Sequence, residues 1–402
     1  MSLRAEAWRA LGLCTMVTAG LVGCTSELVV LDSDERESGG NVNNGGGRAG
    51  VEEATAHGPL PCDVLRDAGF PCVAAHSTVR KLVSSYDGPL YQLCTGYLRD
   101  FWSAGPSSCQ SRGIALDIGT TEDGYADAKS QDDFCMGREC VISIVYDQSG
   151  QGNHLEPAPG GDAKATPRTP VRADVLPIEA GGHWVYGMRL RPGSGYRTGC
   201  NRCNIMTGNG TAVGDEPQTI YMVTSSEGLN DGCCFDYGNA ETTSNDDGNG
   251  AMEAVYFGGG VVWGTGFGGE GPWVMADLEN GLFPGWENGS YDNISTNMPL
   301  RHDFVTAVLV GDTHERNGGK GRFALYGGDA TSGTLREMYD GMRPVPGYVP
   351  MKKQGSIILG TGGDNSSSGA GHFYEGVMTN GAADRATVDA LQASIVRAGY
   401  GR

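Results

Sequence analysis

The sequence predicts an all-β fold: two antiparallel sheets packed as a sandwich of jelly-roll or concanavalin-like type, with a few short helices. Three observations lead there. Glycine makes up 66 of 402 residues while only 19% are charged, more than twice the usual glycine share of roughly 7%. It follows no Gly-X-Y period, which excludes collagen, and falls between short apolar runs where left-handed turn positions require it. Those runs, at 141–146, 219–224, 254–257, 304–310, 323–326, 356–359 and 373–378, have strand length and are bounded by Gly, Asn and Asp, the spacing of sheets that pack face to face. Two apolar stripes at helical spacing flank them: Val79, Leu82 and Val83 near the start, and Val388, Leu391 and Ile395 at the end. Both read as helical packing elements.

Along the chain, the first element is an address. Arg4 and Arg9 precede an apolar stretch at 11–22, short of the roughly 20 residues that span a bilayer, and this is the layout of a secretory signal. The stretch ends in Leu21-Val22-Gly23-Cys24, which resembles a bacterial lipobox. Residues 1–23 are then a lipoprotein signal peptide, and Cys24 carries the lipid. Residues 24–57 are polar and glycine-rich, too poor in apolar groups to offset the entropy of ordering, and read as a flexible tether. A single folded domain is expected over 58–402, exported and held at a bacterial cell surface or in the periplasm.

The formal net charge is −19, with no cluster of Lys and Arg. A phosphate-binding surface needs such a cluster, so nucleic acid is excluded as a partner. The acidity favours neutral over polyanionic substrates, and a monomer is expected. Of twelve cysteines, Cys14 leaves with the signal and Cys24 goes to lipid. The even remainder in an exported chain points to disulfides, with local pairs Cys62–Cys72, Cys94–Cys109, Cys135–Cys140 and Cys200–Cys203. Zinc is not expected at the last pair, because no second CxxC stands at ribbon spacing. Cys233 and Cys234 are adjacent, so their Cα atoms would lie about 3.8 Å apart across a trans peptide, below the usual disulfide range. Spacing alone leaves open whether they bond to each other in a strained ring, pair elsewhere or stay reduced.

The most informative stretch is 271–280. Read as a strand, it sends Val274, Ala276 and Leu278 to one face and Trp273, Met275, Asp277 and Glu279 to the other. Two carboxylates beside an aromatic ring suit a sugar cleft, although a polar outer face is also common in antiparallel sheets. The glycine loop ending in Asp364 and Asn365 brings backbone close to a ligand or simply forms an Asx turn. The segment 146–154 reads as a structural turn. His76 and His154 have no nucleophile motif near them, so a serine triad is unsupported.

These segments together carry a resemblance. Pro61-Cys-Asp, Pro71-Cys-Val-Ala-Ala-His-Ser-Thr78, Tyr146-Asp-Gln-Ser-Gly-Gln-Gly-Asn-His-Leu155 and Gly232-Cys-Cys-Phe-Asp-Tyr-Gly-Asn-Ala-Glu-Thr242 occur in that order. They are followed by Gly271-Pro-Trp273, Asp277-Leu-Glu-Asn280 and Ile358-Leu-Gly-Thr-Gly-Gly-Asp-Asn365. Residues from about 60 to 400 thereby resemble the catalytic domain of family 54 glycoside hydrolases, the α-L-arabinofuranosidase B type. The resemblance implies a β-sandwich, Glu279 as nucleophile and Asp364 as general acid/base. Asp277, Asn280, Trp263 and Gly363 match positions that line the sugar pocket, and Cys233–Cys234 matches a vicinal disulfide that forms its apolar wall. It further implies a retaining, exo-acting release of terminal α-L-arabinofuranose from plant polysaccharides and oligosaccharides, without metal or cofactor, the two carboxyl groups standing roughly 5–5.5 Å apart. That mechanism asks Asp364 to hold its proton more tightly than Glu279.

Departures from the family pattern are expected as well. The resemblance covers the catalytic domain without the C-terminal arabinose-binding β-trefoil, and the pairs Cys94/Cys109 and Cys200/Cys203 are additions. Glu253 and Glu375 sit in similar-looking contexts and are the fallback carboxylates. Two alternative functions stand beside the main one: another exo-glycosidase, such as a β-xylosidase or galactofuranosidase, or a catalytically dead arabinoside-binding lipoprotein.

Overall fold

Each of the seven apolar runs forms a strand, and their pairing builds two large antiparallel sheets. The computed structural model describes residues 58–402 except 96–108, 110–113, 199–205, 261–263, 313–320 and 345. The predicted signal and tether, Cys24, Trp263 and the Cys200–Cys203 pair therefore lie outside the described residues.

One sheet runs in the order Cys72–Ser77, Gly371–Asn380, Gln218–Thr224, Val305–Asp312, Arg322–Asp329 and Arg336–Met342, with Met188–Leu190 also paired to Gly371–Asn380. The other runs Leu282–Phe283, Trp273–Asp277, Glu253–Gly258, Asp236–Ala240, Ser356–Leu359, Tyr196–Thr198, Leu155–Pro157, Cys140–Val145, Tyr91–Thr95 and Ala115–Ile118. Alternation sends Tyr237, Val255, Phe257, Val274 and Ala276 of the second sheet inward, into one cluster with Ile220, Val308 and Val377 of the first. Burying each large side chain of this kind contributes about 1.5–3 kcal/mol. The sheets approach closely because Gly376 carries no side chain: a Cβ there would stand 2.7 Å from the ring of Tyr237.

The closing stripe is a helix, Arg385–Val396, capped by Asp384, whose carboxylate accepts from the Thr387 N–H at 2.8 Å. It buries Val388, Leu391 and Ile395. The opening stripe is not a helix, which corrects the sequence reading. Val79 and Leu82 are buried, but the backbone bonds outside any helical ladder. The N–H groups of Val79 and Arg80 each donate to Ser77 Oγ at 3.0 Å, and that of Leu82 to Gln148 Oε1 at 2.7 Å. So short a stripe cannot offset the cost of nucleating a helix, and tertiary contacts decide its path. The helix near the start is instead Pro61–Asp67, with proline in its first turn.

Three predicted disulfides, Cys62–Cys72, Cys94–Cys109 and Cys135–Cys140, close at Cα separations of 5.7, 5.7 and 5.6 Å. The fallback carboxylates prove to be structural. Glu253 is fully buried and accepts from Arg343 at 2.7 Å, Lys353 at 3.1 Å and Gln218 at 2.8 Å. Glu375 accepts two bonds from Arg80 at 2.7 and 2.8 Å and one from Tyr400 at 2.7 Å. Likewise His76 is bound within the core, by the Tyr237 hydroxyl at 2.9 Å and the Asn153 carbonyl at 2.8 Å.

The Glu253 network yields a pH test. Burial disfavours its charge, yet Arg343 and Lys353 outweigh burial and the net effect is a lowered pKa. A carboxylate lowered on folding stabilises above its unfolded value of about 4.3, and that contribution is lost as pH falls through the folded value. Glu253→Gln is expected to cost roughly 3–5 kcal/mol at pH 7, with the gap to wild type shrinking once the pH drops below about 4. Urea unfolding at several pH values measures it, and a gap of constant size would show that the ion network is not what Glu253 supplies.

Candidate active site

Antiparallel register gathers residues from distant parts of the chain on the outer face of the second sheet. Gly238 pairs with Ala254 and Ile358, and Ala254 pairs in turn with Asp277. Asp236 and Asp277 point outward on this face, and Trp273 and Met275 share it. Trp273 does not line a cleft, however. It is fully buried and packs with Tyr256, Met275 and Leu282, so the ring expected beside the carboxylates serves as a floor beneath them.

The strand stops at Asp277, and a turn rather than strand alternation delivers Glu279. Asp277 Oδ1 accepts from the Glu279 N–H at 3.1 Å, and the Leu278 N–H donates to the Gly281 carbonyl at 3.2 Å. Glu279 and Asn280 both adopt left-handed backbone, with φ of 61° and 56°. That conformation is costly for residues with a Cβ and persists where surrounding contacts enforce it, commonly at functional sites. Here Tyr348 pins the turn, its hydroxyl donating to the carbonyls of Glu279 at 3.1 Å and Asn280 at 3.3 Å.

The opposite wall is the glycine loop that follows Ser356–Leu359. A Cβ on Gly363 would overlap Glu241 Oε2 and stand 3.2 Å from Glu279 Oε2. On Gly362 it would overlap Ser366 Oγ and come into ordinary contact, at 3.4 Å, with Asp364 Oδ1 and Cys234 Sγ. Glycine is thus what lets this backbone enter between the carboxyl groups. Asp364 Oδ1 accepts from the Ser366 N–H at 2.8 Å, so the Asx turn read from the sequence is present and coexists with a half-buried position beside the cavity.

Cys233 and Cys234 form a disulfide with each other across a cis peptide. The loop holding them is fastened at the Cys233 carbonyl, which accepts from Ser368 N–H and Oγ, each at 2.7 Å. Their sulfurs and an Asp277 oxygen lie within 4.8 Å of one another. Bonded sulfurs carry no thiolate, so this trio lacks the donors of a thiolate metal site.

A cavity of about 170 Å³ lies between these walls. Of the residues singled out in the sequence, Glu279, Asp364, Cys233, Cys234, Asp277, Asn280 and Gly363 all line it. Met252 and Leu282 add apolar surface. It suits a small ring with an apolar face on the sulfur side and hydroxyls on the carboxyl side.

Three groups escaped the sequence reading. Asp236 and Glu241 are fully buried, and their carboxyl oxygens meet no protein donor other than a neighbouring acid. Asp236 faces Asp277, and Glu241 faces Glu279, each within hydrogen-bonding reach. Two carboxyl groups can share such a contact only when one is protonated. Burial, then the charge of Asp277, drives Asp236 well above the carboxylate range. Asp277 and Glu241 are raised to about 7, burial again being the main cause. Glu279 is raised to about 11, by burial and then by the charges of Glu241 and Asp277. This runs against the expectation of a readily ionised Glu279.

The third missed group is Arg197, buried beneath the site. Its guanidinium donates to the Glu241 carbonyl at 2.7 Å and to the Gly363 carbonyl. Burial lowers its pKa to about 10 against the opposing charges of Glu241, Asp364 and Glu279. Asp236 and Glu241 fall inside the motif 232–242, which was read for its cysteines; Arg197 left no local signal.

Residues 61–401 match the model of a family described as α-L-arabinofuranosidase B, catalytic. A probable α-L-arabinofuranosidase B of Aspergillus fumigatus is 46% identical over 346 residues, covering 85% of this chain and 62% of that protein. An arabinofuranosidase/β-xylosidase of Trichoderma koningii is 46% identical over 345 residues, covering 85% of this chain and 63% of its own. The chain thus spans less than two thirds of the length of these curated relatives. Among solved structures, an arabinofuranosidase complexed with arabinofuranosyl-α-1,2-xylobiose superposes with a TM-score of 0.74 at 43% identity, over 85% of this chain and 66% of that one. A family 54 α-L-arabinofuranosidase soaked with a cyclic sulfate inhibitor gives 0.73 at 43% identity, over the same 85% and 66%.

Carboxyls raised by burial work against stability as the pH rises. Each contributes fully below its unfolded value of about 4.3 and loses that contribution as pH climbs through the folded value, about 7 for Glu241. Glu241→Gln is therefore expected to stabilise the protein at pH 8, on the order of 2 kcal/mol, and to change little at pH 4. Calorimetry at both pH values checks this, and equal shifts at the two would remove the ionisation of Glu241 as the cause.

Proposed function

The chain belongs to the family of α-L-arabinofuranosidase B catalytic domains, and from that premise we propose that it is a retaining, exo-acting α-L-arabinofuranosidase. It releases terminal α-L-arabinofuranose from side chains of arabinan or arabinoxylan and from related oligosaccharides. The observation that carries this reading is the convergence of Glu279 and Asp364 on one small cavity walled by a disulfide. A pocket of that size accepts one terminal sugar ring, which is what exo-action requires.

In the proposed reaction Asp364 gives its proton to the leaving glycosidic oxygen while Glu279 attacks the anomeric carbon. The arabinosyl ester so formed is opened by water, which Asp364 deprotonates, and configuration is retained. Glu279 must be anionic to attack, yet its environment favours the protonated form. Glu241 resolves this: the proton Glu279 carries crosses their shared contact to Glu241, leaving one negative charge on the nucleophile. Arg197, bonded to the carbonyls of Glu241 and Gly363, holds the two walls in register. Asp277 and Asn280 are placed to receive sugar hydroxyls, and Trp263 is a further candidate for the pocket. The disulfide supplies the apolar wall.

A second reading, a β-xylosidase activity at the same site, is favoured by one observation: the Trichoderma koningii relative is named for both activities. Export is supported by the three ordinary disulfides, which form in oxidising compartments. A lipid anchor at Cys24 would hold the enzyme at the cell surface or in the periplasm.

Hydrolysis of 4-nitrophenyl α-L-arabinofuranoside, beside the β-D-xyloside, tests the substrate class. Wild type should turn over the arabinoside, and Glu279→Gln should lose several orders of magnitude in kcat. Turnover of the xyloside alone would reverse the order of the two readings. The first sugar released, followed by proton NMR, is expected to keep the α configuration; a β product would exclude Glu279 as a covalent nucleophile.

A further inference from the structure

An exo-acting pocket holds one sugar, so the chain that bears this sugar must rest on the protein outside it. Beyond the turn at Asn280 and Gly281 lies a second cavity of about 260 Å³, for which those two residues form a common wall with the catalytic cavity. Its surface is aromatic, built from Phe283, Trp286, Tyr291 and Tyr348, with Pro344 and Pro346 at its edge. None of its lining side chains is charged.

The rings are ordered by one another. Trp286 and Tyr291 stack at 5.9 Å between centroids with their planes 20° apart. Phe283 meets Tyr291 edge-on at 5.4 Å and Tyr348 edge-on at 5.0 Å. The Trp286 carbonyl accepts from the Tyr339 hydroxyl at 3.1 Å, which fixes the backbone beneath the indole. Trp286 is only partly buried, and Tyr291 is 37% exposed. Preordered rings left open to solvent beside a sugar pocket are a surface on which an uncharged sugar ring can lay its apolar C–H face. A larger hollow of about 340 Å³, edged by Asn230, Asp231, Glu270 and Arg301, shares no lining residue with the catalytic cavity and presents mostly polar groups.

We propose that the Trp286–Tyr291 platform binds the uncharged main chain of the polysaccharide, next to the arabinose being removed. This rests on the glycosidase reading of the catalytic cavity, but it can be measured separately. Tyr348 joins the two cavities physically, since its ring lines the platform while its hydroxyl holds the Glu279–Asn280 turn. Main-chain binding is thereby coupled to the placement of Glu279.

Binding of xylotetraose and of α-1,5-arabinotetraose, neither with side chains, is titrated by tryptophan fluorescence and calorimetry on the Glu279→Gln protein. One of the two should bind and so identify the main chain. Adding Tyr291→Ala, at an exposed position, or Trp286→Ala should weaken binding about tenfold. In the active enzyme the same two substitutions should lower kcat/KM about tenfold on an arabinosylated oligosaccharide of that main chain. They should leave methyl α-L-arabinofuranoside, whose leaving group cannot reach the platform, within about twofold of wild type. Binding of neither tetraose, or equal losses on both substrates, overturns the proposal. Failure to hydrolyse any arabinoside, with tetraose binding intact and sensitive to Tyr291→Ala, would instead overturn the glycosidase reading and leave the platform standing.

Discussion

The crowding of carboxyl groups on the outer face of one sheet, away from water, is the constraint on which the rest of the site depends. Asp236, Glu241, Asp277 and Glu279 are each at most 6% exposed, and the buried guanidinium of Arg197 is the cation set against Glu241, Glu279 and Asp364. Such a group of acids cannot all be charged, so they pair and share protons. In the proposed reaction this sharing leaves Glu279 held in reserve as an acid, with Glu241 beside it to take its proton.

Backbone detail follows from the same crowding. Carboxyl groups can stand this close only if the chain between them is thin, which is why glycine stands at 363, where a Cβ would strike Glu241, and at 362, where one would strike the hydroxyl of Ser366. The left-handed pair Glu279–Asn280 is costly backbone, enforced by the Tyr348 hydroxyl from outside the turn. The same tyrosine borders the aromatic hollow, so the residue that shapes the Glu279 turn also shapes the surface next to it. Elsewhere in the fold buried acids are treated oppositely. Glu253 and Glu375 are matched with cations and tyrosines, and their identity as glutamates says nothing about catalysis.

Local pattern made legible the seven apolar runs and the strand within 271–280, because alternation and turn residues act over a few positions. It also put Asp277 on the correct face of its strand. It failed at 79–83, where an apolar stripe at helical spacing is held by side chains of Ser77 and Gln148. It also misjudged Trp273, since alternation gives a face but not what covers that face. The cavity's lining was legible mainly through motif resemblance, which carried Glu279, Asp364 and the cysteines. Glu241 and Asp236 were passed over, although they stand in the same motif, because their importance lies in which acid each one faces.

The sequence by itself determined the fold class, the positions of eight strands, the three local disulfides and the identity of the catalytic candidates. These depend on short-range chemistry: period-two alternation, turn propensity, cysteine spacing and ordered motifs. Only the tertiary structure decided which carboxyls share protons, which are neutralised by cations, and where Arg197 enters. Those outcomes turn on contacts between residues as far apart as Arg197 and Gly363, and on burial, which raises or lowers a carboxyl according to the partner that the fold brings to it.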